Sequence, residues 1–124
     1  HPYSELVEAS MKRWIGTAEQ PVIPLIAQGR DRRPWTPKND EGLGWLNQTW
    51  GNEWFFTKAT PGEFEDGLRK LLKWMESNPE QVTKDRLAVI YAWNEIAEGG
   101  WLVPCLEDPE GNYLKAIRNV VMGR

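Results

Sequence analysis

Glu95 and Glu98 lie three residues apart between two tryptophans, in the run Tyr91-Ala92-Trp93-Asn94-Glu95-Ile96-Ala97-Glu98-Gly99-Gly100-Trp101. A pair of carboxylates is the basic equipment of glycoside hydrolysis: one protonates the leaving oxygen and the other acts as base or nucleophile. Carboxylates sharing an aromatic, partly dry site have their pKa values pushed apart, which lets one keep its proton near neutral pH. Asn94 is suited to bonding a sugar hydroxyl or to holding Glu95. Trp93 and Trp101 supply a stacking wall, because the C–H face of a pyranose packs on an indole that still keeps an N–H donor. The two glycines allow a sharp turn and close approach of backbone to a ligand. E-x-x-E also occurs on solvated helices, but the flanking W-N and G-G-W argue against a helix at this point.

A second polar cluster follows the apolar run Val22-Ile23-Pro24-Leu25-Ile26-Ala27. It reads Gln28-Gly29-Arg30-Asp31-Arg32-Arg33-Pro34-Trp35. Charge at the carboxyl end of a buried strand is where α/β folds build their sites, so Asp31, Arg33 and Trp35 are candidates for binding sugar. The alternative is a solvated loop. Residues 36–59 form a long connection carrying Trp45, Trp50, Trp54, Phe55 and Phe56. Disordered segments are poor in aromatics, and long loops in compact domains are commonly functional. The expectation is an ordered loop over a binding cleft, with Trp50 and Trp54 reaching ligand. Eight Trp stand against three Phe and three Tyr. Such an excess suggests flat surfaces for sugar rings, about half of the indoles lining a groove.

The elements that must position these residues alternate. Tyr3, Leu6, Val7, Met11, Trp14 and Ile15 recur at helical spacing, with Trp14 on the packing face. Residues 22–27 read as a strand buried on both faces, although Pro24 removes a ladder donor. Thr60-Pro61-Gly62-Glu63 is a helix start with a capping box and proline at the first helical position. That helix runs to about Ser77, and Asn78-Pro79 stops it. Residues 86–93 form the second apolar strand. A last helix begins near Asn112. Helix, strand, loop, helix, strand, loop, helix implies parallel βα units. Two strands make no complete sheet, so the expected fold is α/β: about the last two βα units of a (β/α)8 barrel. Residues 1–124 are then a single partial domain whose remaining barrel strands come from the parent chain or another chain. The opening His1-Pro2, with no initiator Met, reads as a cut end.

The composition fits that class. Apolar residues make up 40% and charged residues 27%, as in globular domains. A net charge of −3 with no basic patch gives no ground for nucleic acid as a partner. No apolar run approaches the roughly 20 residues that span a membrane. The single Cys105 excludes an intrachain disulfide, and no Cys/His cluster suggests a metal. No cofactor is expected.

Trp93-Asn94-Glu95-Ile96-Ala97-Glu98-Gly99-Gly100-Trp101-Leu102-Val103-Pro104 resembles the W-N-E-W-x-E-G-x-x-L/I-x-P signature of glycoside hydrolase family 99 and its WbsX-like relatives. Gly29-Arg30-Asp31-Arg32-Arg33-Pro34 is similar to that family's G-x-D-x-R-P segment. The resemblance covers most of the chain but only the tail of a family domain. It implies a (β/α)8 enzyme acting on α-linked polysaccharide, mannan among the substrates. By motif position Glu95 would assist the sugar 2-hydroxyl as base, on a retaining route through a 1,2-anhydro sugar, and Glu98 would be the acid/base at the leaving group. The sequence departs from the family at Ile96, where the signature has its second Trp, and at Ala97. W-N-[D/E]-x-x-E also resembles the family 71 α-1,3-glucanases, which keeps α-glucan open as substrate. The competing expectation is a non-catalytic carbohydrate-binding module, or a barrel fragment without activity. The isolated 124 residues are expected not to turn over substrate. A polysaccharide-degrading enzyme favours a secreted or periplasmic location.

Overall fold

The computed structural model describes residues 1–16, 20–35 and 55–123. The expected aromatic loop, with Trp45, Trp50 and Trp54, falls on residues 36–54 and lies outside the described residues. Helix α1 spans Tyr3–Gly16, with Glu5 in its first turn and Arg13 in its last, each favourable toward the helix dipole. Strand β1 is Leu25–Ala27. Helix α2, Pro61–Ser77, starts on the expected capping box. The Glu63 N–H donates to Thr60 Oγ1 at 3.2 Å, and the Thr60 N–H donates to Glu63 Oε2 at 2.8 Å. At the other end the Asn78 amide donates to the Trp74 carbonyl at 2.8 Å, satisfying an orphaned acceptor.

Helix α2 leads to strand β2, Val89–Tyr91, which lies parallel to β1 with Leu25 opposite Val89, Ile26 opposite Ile90 and Ala27 opposite Tyr91. Parallel neighbours need a crossover of this kind, so β1–α2–β2 is one βαβ unit. Helix α3, Asn112–Met122, closes the described chain and packs on α2. The core lies where β1 meets α2. Phe64, Leu71 and Ile26 are at most 1% exposed, with Leu68, Met75, Trp14, Trp74 and Tyr113 around them.

Both strands are shorter than the apolar runs suggested. Val22 pairs with Val82 rather than continuing β1. Arg86 takes a φ of 51°, which breaks the extended run before β2. Nor are the strands buried on both faces. Ile26 is covered by α2, whereas on the opposite face Leu25 is 41% and Val89 44% exposed and only Ala27, at the carboxyl end of β1, is buried.

The outer edge of β1 is occupied by side chains. The Val89 N–H donates to the Pro24 carbonyl at 2.9 Å, a register that turns the Leu25 and Ala27 carbonyls away from β2. Trp14 Nε1 donates to the Leu25 carbonyl and the Tyr3 hydroxyl to the Ala27 carbonyl, both at 3.1 Å.

Candidate functional site

The two glutamates sit at the carboxyl end of the parallel pair. After β2 the chain passes through the cis peptide Tyr91–Ala92 and forms β3, Asn94–Glu95. This pairs antiparallel with β4, Gly100–Trp101. The 3-10 turn Ile96–Glu98 lies between them. Gly99 ends that turn at a φ of 73°, a left-handed position that glycine takes without strain. Glu95 and Glu98 therefore belong to a tight β-turn-β excursion and not to a solvated helix.

Backbone bonds join this excursion to the loop after β1. The Asp31 N–H donates to the Glu98 carbonyl at 2.8 Å. The Phe56 N–H donates to the Arg30 carbonyl at 2.7 Å and the Ala59 N–H to the Gln28 carbonyl at 2.7 Å. Gly29 sits at the crossing. A Cβ there would stand 2.9 Å from the Gly99 carbonyl oxygen and 3.0 Å from Lys58 Cα. Three segments remote in sequence thus meet under the glutamates.

The Tyr91 hydroxyl donates to Glu98 Oε2 at 3.0 Å. Arg32 Nε lies 3.4 Å from Glu98 Oε1. Both carboxylate oxygens of Glu98 consequently face donors. Burial raises the Tyr91 pKa above the ordinary phenol value, and the bond to Glu98 and the charges of Glu98 and Glu95 raise it further. Asp31 serves a different partner. Its carboxylate takes Arg33 Nε at 2.9 Å and Nη2 at 2.6 Å, a bidentate pair. The Arg33 side-chain bonds hold the Asp31 pKa below the usual range. The Arg33 guanidinium lies 3.5 Å above the centre of the Phe55 ring, a cation–π contact.

A cleft of about 660 Å³ opens below this cluster along the exposed face of β1. Leu6, Leu25, Ala27 and Phe56 supply apolar wall, and Arg13, Arg30, Arg32, Tyr91 and Glu98 supply polar groups. An apolar cavity of this size with a few convergent polar groups is the usual form of a ligand site.

Placement of the expected site residues is uneven. Glu95, Glu98, Asn94, Asp31 and Arg33 gather at the strand ends. Trp93 is 55% exposed and available for stacking. Trp101 is not: it is 4% exposed, with the Lys58 ammonium over its ring and Tyr113 edge-on at 5.5 Å. The expected stacking wall at Trp101 is thus a core contact, because β4 turns that side chain toward α3. Trp35 contributes backbone to the 3-10 turn Arg33–Trp35, and Trp50 and Trp54 lie outside the described residues. Tyr91 and Arg32, the direct partners of Glu98, were not anticipated. Strand alternation offered one signal, since Val89 and Tyr91 share a face with Leu25 and Ala27.

Comparison with protein-family models, with curated proteins and with solved structures gave no match to this chain. Among the described residues no group of His, Cys, Asp and Glu is arranged to hold a metal ion, and no helix is long and apolar enough to cross a membrane.

Proposed function

We propose that this chain is the carboxyl-terminal part of a (β/α)8 glycoside hydrolase acting on an α-linked glycan, with Glu95 and Glu98 as its catalytic carboxylates. One observation carries the reading. Glu98 is held between Tyr91 and Arg32 at the mouth of a cleft, at the carboxyl end of two parallel strands, with Glu95 in the same turn. Barrel enzymes build their sites from such strand ends. Glu98 is assigned the acid/base role at the leaving oxygen and Glu95 the base toward the sugar 2-hydroxyl. Trp93, exposed beside them, is the stacking surface, and Asn94 bonds a hydroxyl. Among the described residues Trp14, Trp74 and Trp101 are buried in the core, which disfavours a purely stacking-based role for these indoles.

The test is release of reducing ends from α-mannan and α-1,3-glucan by the whole protein, beside its Glu98→Gln and Glu95→Gln variants. Turnover should fall by about 10²–10⁴-fold in each variant, the range for a positioned acid or base, while glycan binding persists. Equal turnover in wild type and Glu98→Gln would sink the assignment.

A further inference from the structure

We infer that the glycan bound in the cleft carries an anionic group, seated among the guanidinium groups of Arg30, Arg13 and Arg32. This rests on the glycan-binding reading above, and it adds the substrate's charge class. The protein as a whole is acidic, with a net charge of −3, yet among the described residues the cleft is lined by three arginines and one carboxylate, Glu98. They come from separate elements. Arg13 projects from the last turn of α1, while Arg30 and Arg32 follow β1. Glu98 answers Arg32 at 3.4 Å. Arg30 forms no ion pair among the described residues. It is half-buried, and burial together with the charges of Arg32 and Arg13 lowers its pKa, against the opposing charges of Glu98 and Tyr91.

A half-withdrawn guanidinium crowded by two like charges is unfavourable unless an anion answers it, and the nearby Glu98 is already engaged by Arg32 and Tyr91. A bound carboxylate, sulfate or phosphate would do so, with the planar fork of Arg suited to two-oxygen contact. The apolar wall beside it, Leu6, Leu25 and Phe56, suits the C–H faces of a sugar ring. The ligand class is therefore an acidic α-glycan: a uronate, a sulfated sugar or a phosphosugar.

The experiment is titration calorimetry of the whole protein with mannose, mannose 6-phosphate, mannose 6-sulfate, methyl α-glucoside and methyl α-glucuronide, at low and at physiological salt. Each anionic probe is compared with its neutral counterpart. At least one should bind about tenfold tighter or more, as expected for charge-assisted hydrogen bonds, and the tightest names the group. The gap should collapse in Arg30→Gln and shrink in Arg13→Gln. It should persist in Lys12→Gln, which removes the same charge from the exposed face of α1. Absence of a gap, or a gap unchanged in both arginine variants, overturns the inference. The Glu98→Gln turnover assay is independent of this result. Cleavage of neutral glycans with no anionic preference would leave the hydrolase standing without the anion site. An anionic preference without turnover would keep the site and remove the hydrolase.

Discussion

At the scale of single residues, the contact that matters most is between Tyr91 and Glu98. The phenol is the only side chain that bonds Glu98 within 3.0 Å among the described residues. Tyr91→Phe keeps the ring and removes the donor. A hydrogen bond to a charged group contributes about 1.5–3 kcal/mol. The variant should lose about tenfold or more in kcat if that bond sets the orientation of Glu98, since 1.4 kcal/mol corresponds to a factor of ten. Unchanged kcat with a raised KM would assign Tyr91 to substrate contact instead. The glutamates were legible in the sequence because E-x-x-E sat between helix-breaking flanks. Tyr91 and Arg32 were not, because pairing across 7 residues and between two separate loops depends on where the strands end. Trp101 was misjudged for the same reason. Composition marks an indole as useful for sugar, but only the β3–β4 pairing shows that it turns inward.

At the scale of elements, two joints hold the site. Gly29 lets the loop after β1 press against the Gly99 turn. Gly29→Ala would push a methyl group into the Gly99 carbonyl oxygen and the Lys58 backbone. Overpacking of this kind costs about 1–3 kcal/mol. The variant should lower the thermal midpoint and weaken ligand binding together; a shift in neither would place slack at this crossing. The other joint is the start of α3. Its N-cap is Gly111, which has no side chain to offer. Asp108 substitutes from further back, taking the Tyr113 N–H at 3.2 Å and the Asn112 amide at 2.7 Å. Burial works to raise the Asp108 pKa, but the backbone and side-chain donors at Asn112 and Tyr113 outweigh it and leave the group below the ordinary range. Loss of a capping oxygen costs about 0.5–2 kcal/mol. Asp108→Ala should therefore destabilise the protein by about 1–2 kcal/mol in urea unfolding, with Asp108→Asn intermediate; equal stability would make the cap dispensable. Helix boundaries were readable because caps are local: Thr60, Glu63 and Asn78 each act within four residues. Strand boundaries were not, since they depend on partners such as Val82 that the apolar run does not reveal.

At the scale of the molecule, one buried cation joins the site region to α3. The Lys58 ammonium is buried over Trp101, lies 4.6 Å from the Tyr113 ring centre and has no hydrogen-bond partner among the described residues. Burial lowers its pKa from 10.5 to about 8, against the opposing charges of Glu107, Cys105 and Asp108. The neighbouring Tyr113 hydroxyl donates to the Ala59 carbonyl, and burial followed by the charge of Asp108 raises its pKa from 10.0 to about 12. Tyr3 is shifted upward by burial as well. These shifts pull stability in opposite directions on either side of pH 10. Between about pH 8 and 10 the unfolded chain keeps the Lys58 proton that the folded chain has released, so stability rises with pH. Above pH 10 the unfolded tyrosines lose protons that the folded ones retain, so stability falls as pH moves toward 12. Urea unfolding from pH 7 to 11 at constant ionic strength should therefore pass through a maximum near pH 10. Lys58→Met should flatten the rising limb, and Tyr113→Phe should soften the falling one. A steady decline from pH 8 in the wild type, or the same rise in Lys58→Met, would mean that Lys58 is solvated and that the Trp101–Tyr113 layer is not closed by its charge.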